Sequence, residues 1–528
     1  MITVAKHTKL QLLAGGLFAV CCFTFFQSAL PYHLFFKEEM QLFLLTGEHF
    51  LSYAGKPAWL ACYAGDFLTQ FFYLRGVGAL TLTLVLCAEY TLWAQVLRRL
   101  GRRRYAAVAA LLPAAADGFM HCGLYYGLPT SLSIILTLLA FEAFTLIKRP
   151  AVAFAAGVLL LPGLYIAAGA SFLLFPLLAG VYSWRRGNRF AVVALLLIAA
   201  ACPAIARPYY LLTPGQAYSY PFPSSINLRG VDRTREKILA LSVEAGRGRW
   251  DEVGRRAAEA AGLSNPIVTY FANIAASKQG RLPDSLLNYY QPFTRALFLP
   301  VSPQSDWLTI SFSQEVFFHL GDMNMAQHSA MLGMIFSPRR RSSRMLERLA
   351  GISLANGDVQ LADKYLRMLD ATLFHRSHGR VLHMSHGGSP LLMQDTLRTA
   401  SDYATSLELL AGSCPDGGCA LDYLLCYHLL NKDIRAFATV YDRYLRGKEG
   451  YVAPRLYAEA MLIRLAAEKA PAGELQAYGI DPGIVSDFME YTRLYEQNNA
   501  APGVLSGRFG RGYWFYYHFA RKREEGEV

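Results

Sequence analysis

Charge is what this sequence has least of. Only 17% of its 528 residues are Asp, Glu, Lys or Arg, against 53% that are hydrophobic. The shortage is uneven. Residues 1–212 hold 16 Lys and Arg but only 7 Asp and Glu, whereas residues 213–528 hold 35 and 32. Most of the net +12 therefore lies in the apolar part of the chain. A nucleic-acid binder clusters its charge on a polar folded domain, so nucleic acid is not an expected partner. Here the basic residues punctuate apolar runs, the pattern that orients a membrane protein. Motifs that carry chemistry are also missing. The chain has no P-loop, Rossmann fingerprint, nucleophile elbow or HExxH. Cysteine is sparse, and six of the nine lie in or near apolar runs, where they read as small apolar residues.

Long apolar runs are present instead. A membrane-spanning helix needs roughly 20 largely apolar residues, because the hydrocarbon core is about 30 Å thick. Residues 10–30 (LQLLAGGLFAVCCFTFFQSAL) meet that length, as do residues 76–97, 129–147 and 190–206. Residues 105–120 are a shorter candidate and carry Asp117. The stretch Pro150 to Trp184 has no charged residue and is too long for one helix. Its middle, LPGLYIAAGAS, contains Pro162 and two glycines. Lys148 and Arg149 precede it, and Arg185, Arg186 and Arg189 follow it. Basic residues at both ends predict a hairpin of two short helices that goes out and returns. A single helix there would leave the C-terminal domain in the cytoplasm.

With the hairpin, the expectation is about seven spans. Lys6, Lys9, the RRLGRRR cluster at 98–104, Lys148, Arg149 and Arg185–Arg189 fall on one side, and Lys37, Lys56, Arg75 and Arg207 on the other. The positive-inside rule then predicts a multi-pass protein of the cytoplasmic (inner) membrane with its N-terminus inside and its C-terminal domain outside, in the periplasm. Residues 10–30 exceed the roughly 7–15-residue core of a signal peptide and lack a clean A-x-A site, so no cleavage is expected. Glu89 lies deep in a predicted span and is expected to face the bundle interior. Glu142 is nearer the basic end of its own span.

Residues 31–74 form a long outer loop rich in aromatics and interrupted by charge, as helices lying along a membrane interface would be. Trp59, Tyr63, Phe67, Phe71, Phe72 and Tyr73 are expected at headgroup depth. A first span, a long outer loop opening on an acidic pair, and further spans joined by short outer turns resemble the GT-C superfamily of membrane glycosyltransferases. The resemblance rests on KEEMQLFLLTGEHFLSYAGKPAWLACYAGDFL, with Glu38 and Glu39 at the acidic position, and on Asp117 in AADGFMH as a second one. It implies transfer of a sugar from a lipid-phosphate donor on the outer membrane face, with Glu38, Glu39 and Asp117 as catalytic residues. The whole chain also resembles uncharacterised bacterial membrane proteins that join such a half to helical repeats. On chemical grounds, glycosyl transfer needs a base for the acceptor or a metal at the phosphate. Glu38, Asp117 and His121 are the candidate ligands of a divalent metal. The plainer reading makes Glu38 and Glu39 the solvated face of an interfacial helix and Asp117 a helix-end residue.

Residues 213–528 read differently. GRWDEV begins at Gly248, GRLPDS at Gly280, GDMNMA at Gly321, GDVQLA at Gly357 and NKDIRA at Asn431. A unit near 34 residues is the length of tetratricopeptide-type (TPR) repeats, so an all-α, TPR-like solenoid is expected. The Gly or Asn would end one helix in the left-handed conformation. Stacked helix pairs leave a surface suited to a protein partner. Cys414 and Cys419 bracket a short loop where an outside location would permit a disulfide. Pro338 to Arg344 (PRRRSSR) is a basic knot that suits anionic lipid or phosphate as well as a solvated loop. His375, His378, His383 and His386 have no regular ligand spacing and suggest a loop between repeats. The tail GRGYWFYYHF is expected to pack its rings on the last repeat or the membrane.

The fold class is thus all-α: a transmembrane bundle, 1–212, followed by an extracytoplasmic repeat domain, 213–528. Two functions follow. One is a GT-C-like transferase or lipid-linked sugar handler, with membrane lipid and a lipid-linked sugar as partners. The other is a membrane-anchored scaffold whose repeats bind proteins of the cell envelope.

Overall fold

The computed structural model describes residues 2–102, 104–225, 227, 229–376, 403–414, 418–471, 473–497 and 501–521. Every regular element among the described residues is helical. The chain divides into two compact units. The first runs to Leu239 and adds two later segments, Ser337–Glu347 and, of the described residues, 363–376. The second holds Ala240–Phe336, Arg348–Ala362 and the described residues from 403 onward. The chain passes between units within the helices Ser343–Ala355 and Val359–Asp370.

Eleven helices of the first unit matter here: α1 (Ile2–Ala29), α2 (Pro31–Glu39), α3 (Gly47–Ser52), α4 (Trp59–Thr69), α5 (Val77–Arg99), α6 (Ala106–Ala109), α7 (Leu111–Met120), α8 (Leu128–Thr145), α9 (Pro150–Ala168), α10 (Leu174–Trp184) and α11 (Arg189–Tyr210). Among the described residues, five segments are long and apolar enough to cross a membrane: Lys9–Ala29, Val77–Arg99, Leu128–Thr145, Pro150–Trp184 and Arg189–Tyr210. The other candidate, Ala106–Met120, is shorter. At about 1.5 Å per residue, α7 alone covers about half of a hydrocarbon core. Leu12, Leu13 and Leu17 on α1 are 70%, 73% and 69% exposed, apolar side chains that the described residues leave largely uncovered.

The uncharged stretch 150–184 is two helices joined by the 3₁₀ turn Gly169–Leu173. Phe154 meets Phe190, and Tyr165 meets Tyr210, so α9 runs parallel to α11. Gly180 approaches Val192, so α10 runs against α11 and therefore against α9. The reversal needs Gly169. Its φ is +66°, and a Cβ there would lie 2.4 Å from the Tyr220 carbonyl oxygen. Phe141, Phe144, Leu161, Phe172, Phe175 and Leu195 fill the core between these helices.

The segment 31–74 is largely helical, as its composition predicts, but its rings largely pack on one another. Phe43 meets Tyr63 and Phe67, Phe50 meets Trp59 and Tyr63, and Phe72 is buried. Helix α4 lies so close to α8 that a Cβ on Gly65 would fall 2.4 Å from the Pro129 nitrogen.

The second unit is built of helix pairs. Gly248, Gly280, Gly321 and Gly357 all have positive φ, as their repeated motif predicts. At the fifth position Lys432, not Asn431, takes the left-handed conformation. The reason lies one residue on. Asp433 accepts the Ala436 N–H, as Asp322 accepts that of Met325 and Asp358 that of Leu361, so an N-cap Asp directly follows the left-handed residue at three of the five positions, while Arg249 and Arg281 follow Gly248 and Gly280. The tail helix Tyr513–Phe519 docks on Arg455–Glu468, with Trp514 fully buried and its Nε1–H bonded to the Glu459 carbonyl at 2.8 Å. Cys414 and Cys419 are free thiols. His378, His383 and His386 lie outside the described residues.

Candidate functional site

Adjacent residues on a helix point about 100° apart, and α2 shows the consequence. Lys37 turns inward, and its Nζ donates to the carbonyls of His121 at 2.9 Å and Tyr126 at 2.8 Å. A cation there complements the C-terminal end of α7; burial pushes its ammonium down to about 7. Beside it, Asp117 accepts hydrogen bonds from Tyr126 and, at 2.6 Å, from Ser131, while His121 Nε2 lies 2.8 Å from the Ser131 hydroxyl and 3.7 Å from Asp117. Glu38 points elsewhere. It is buried and pairs with His375 Nε2 at 2.9 Å. Glu39 pairs with Arg344 at 3.1 Å. So Asp117 and His121 come together, but Glu38 and Glu39 do not join them. The expected metal set of Glu38, Asp117 and His121 is not assembled, and among the described residues no group of three or more His, Cys, Asp or Glu side chains could hold a metal. Glu89 accepts from Trp93 at 3.0 Å, and Glu142 pairs with Arg99 at 3.2 Å.

A different set of polar groups surrounds an open cavity of about 600 Å³ in the first unit. One wall is α3, the turn Tyr53–Pro57 and α4. The other is the basic knot, Pro338–Arg341. Among the described residues, Asp66 is the one acidic residue in the lining; Lys56, Arg339, Arg340 and Arg341 leave the cavity strongly cationic. A chain of hydrogen bonds runs round the wall. Arg341 Nη1 donates to His49 Nδ1 at 2.6 Å. His49 Nε2 lies 3.5 Å from the Tyr53 hydroxyl, which donates to Asp66 Oδ2 at 2.9 Å. Arg339 Nη2 donates to Asp66 Oδ1 at 3.1 Å. Only a neutral imidazole with its proton on Nε2 can accept from Arg341, and burial, reinforced by the Arg341 charge, pushes His49 down to about 4. Burial pushes the Asp66 carboxyl up, while Arg339 and Tyr53 hold it down. Burial also pushes the Cys62 thiol up to about 11.

An apolar groove of about 790 Å³ opens between α9 and α11. Pro162, Tyr165, Ile166, Ile198, Cys202, Ile205 and Tyr209 line it, with Ala54 and Trp59 at one end. Cavity and groove share the segment 53–59. Tyr53, Gly55, Lys56 and Pro57 face the first, Ala54 and Trp59 the second.

One family model matches residues 6–520. The chain belongs to the family of unknown function DUF6057. The match spans both compact units, so cavity, groove and helix pairs all fall within one DUF6057 architecture. No curated protein and no solved structure matches the chain.

Sequence reasoning singled out the basic knot but not its partners. Asp66 lies within the quoted loop motif, yet nothing local marks it above Glu38 or Glu48. It is 273 positions from Arg339. Its one local cue is position: Gly65, beside it, can lie flush against α8, which buries Asp66 at the foot of the cavity.

Proposed function

We propose that this DUF6057 chain is a multi-pass protein of the cytoplasmic membrane that holds a lipid-phosphate-linked sugar at the outer face and transfers the sugar to an acceptor. The observation that carries the reading is the shared wall between a cationic cavity and an apolar groove. An amphiphile with an anionic head and a hydrocarbon tail matches both. The GT-C resemblance of loop 31–74 and the basic flanks of the apolar helices support the same side of the membrane.

In this reading Arg340, Arg341 and Lys56 hold the phosphate. Arg339 orients Asp66, which takes the acceptor hydroxyl proton as the new bond to the anomeric carbon forms. The bond from that carbon to the phosphate oxygen breaks, and the phosphate leaves with the electron pair, its charge balanced by the arginines. Glu38 and Glu39 serve as ion-pair partners rather than as the base. Each arginine–phosphate contact is worth about 1.5–3 kcal/mol, so Arg340→Gln and Arg341→Gln should each weaken binding of farnesyl phosphate by roughly tenfold to a hundredfold in nanodiscs. Unchanged affinity in the double variant would sink the proposal.

The five helix-pair turns support a second reading, a scaffold whose TPR-like repeats bind an envelope protein. Under it, the same double variant would complement a deletion fully.

A further inference from the structure

His375 lies in the turn after Val359–Asp370 and is buried, and both of its ring nitrogens meet carboxylates. Nε2 is 2.9 Å from Glu38 Oε1, and Nδ1 is 2.6 Å from Glu347 Oε1. A neutral imidazole has one N–H, and a carboxylate can only accept. Two carboxylate acceptors therefore require two donors, which only the imidazolium supplies.

Next to this cation in the chain's packing lies the basic knot that walls the arginine cavity. Glu347 sits on the first turns of Ser343–Ala355, directly after the basic knot. Around it the knot is tied to loop 31–74. Arg344 pairs with Glu39, the Ser342 hydroxyl donates to the Glu39 carbonyl at 2.6 Å, and the Ser343 N–H donates to the Gln41 carbonyl at 3.0 Å. On the other flank, Leu45 N–H donates to the Ala371 carbonyl at 2.7 Å, and Leu373 N–H to Gln70 Oε1 at 3.3 Å.

We infer that His375 is a positioning residue: as an imidazolium it clasps Glu38 to Glu347 and holds Arg339–Arg341 at the cavity, and loss of its proton lets the knot move. The ligand side of this inference rests on the cavity reading proposed above; the clasp itself does not.

Among the described residues, the groups that meet His375 come from three elements. From α2 it is Glu38; from Ser343–Ala355, Glu347; from the turn Gln70–Tyr73, the Tyr73 ring, its centroid 4.9 Å away; next along these elements, Glu39 pairs with Arg344, and Arg376 is bonded to the carbonyls of Asp370 and Thr372. Burial works against protonation, but Glu38 and Glu347 outweigh it and hold His375 well above the ordinary histidine value. Once neutral, the ring would turn a lone pair toward one of two carboxylates, an arrangement that costs desolvation with no hydrogen bond in return.

The test uses the full chain in nanodiscs. Hydrogen exchange of peptides covering 342–347 and 42–46 is followed from about pH 6 to about pH 9, corrected for intrinsic rates, alongside farnesyl phosphate affinity. The native chain should keep its protection to neutral pH and lose about tenfold or more as His375 deprotonates, with affinity falling in parallel. His375→Gln should be unprotected throughout. His375→Lys, a cation across this range, should retain protection and affinity on the alkaline side. Flat protection in the native chain, which needs no variant to fold, overturns the clasp. So does native-like protection in His375→Gln. If protection falls with pH but neither pH nor the Arg340→Gln/Arg341→Gln pair alters farnesyl phosphate binding, the clasp stands and the cavity reading fails. If the arginine pair abolishes binding while pH leaves protection untouched, the clasp fails and the cavity reading stands.

Discussion

Asp66 is held by a tyrosine hydroxyl and a guanidinium, and each can be removed separately from its charge. Asp66→Asn keeps the volume and an acceptor for Tyr53 but loses the base. The expected outcome is normal protein level by immunoblot, because Arg339 is 36% exposed and tolerates losing its partner at a cost of about 1 kcal/mol, with complementation of a deletion abolished. A complementing variant would remove Asp66 from the chemistry. Cys62, in the same lining, has its thiol pushed up to about 11, so only about one in 10⁴ is thiolate at pH 7. Maleimide labelling of Cys62 should be negligible at neutral pH and rise steadily with alkalinity. Two histidines act on stability in opposite directions. His49 is neutral in the fold and lowered to about 4, so its contribution is present above about pH 6.5 and is lost as pH falls toward 4. His375 is raised, so its contribution is present below about pH 6.5 and is lost as pH rises through its folded value. Thermal midpoints of the full chain should therefore carry an acid loss set by His49 and an alkaline loss set by His375, the latter opposed by Lys37, whose lowered ammonium favours the fold increasingly as pH rises above about 7. His49→Gln should flatten the acid limb and His375→Lys the alkaline limb.

Among the elements, α4 depends most on one residue. Gly65 lets it lie against the start of α8, and the atoms a Cβ would meet, the nitrogen and Cα of Pro129, cannot move independently of the helix. Gly65→Ala is expected to cost about 1–3 kcal/mol, or more if α4 is displaced, read as a lower unfolding midpoint in detergent. Because α4 carries Asp66 and Cys62, farnesyl phosphate affinity should fall as well; an unchanged midpoint would contradict the close approach. Much at this scale was legible from residue order alone. The repeated Gly-Asp step places a left-handed residue and an N-cap in sequence, and both chemical preferences act within a few residues. The shift from Asn431 to Lys432 escaped that reading because the capping Asp433, not the turn residue, sets the register. The faces of α2 escaped it too. Periodicity says Lys37 and Glu38 diverge, but not which one meets Asp117.

At the scale of the whole molecule, the reversal at Gly169 bears on which side of the membrane the second unit occupies. Under the proposed topology, alkaline phosphatase fused after residue 521 should be active and a cytoplasm-dependent reporter silent at the same point. The opposite pattern would remove one crossing and place the helix pairs in the cytoplasm.

Residue order alone determined what depends on composition and short-range chemistry: the apolar helices, their basic flanks, the all-helical character and the glycine turns of the second unit. Each follows from transfer energies and backbone preferences that act along a few turns of chain. The site was decided elsewhere. Which carboxylate faces a cavity and which is spent in an ion pair depends on contacts across some 300 positions, between loop 31–74 and the segments 337–347 and 363–376. The scarce charges noted at the outset can be counted from the sequence. Their partners appear only when packing brings distant segments together, because a buried charge takes whichever counter-charge the fold places beside it.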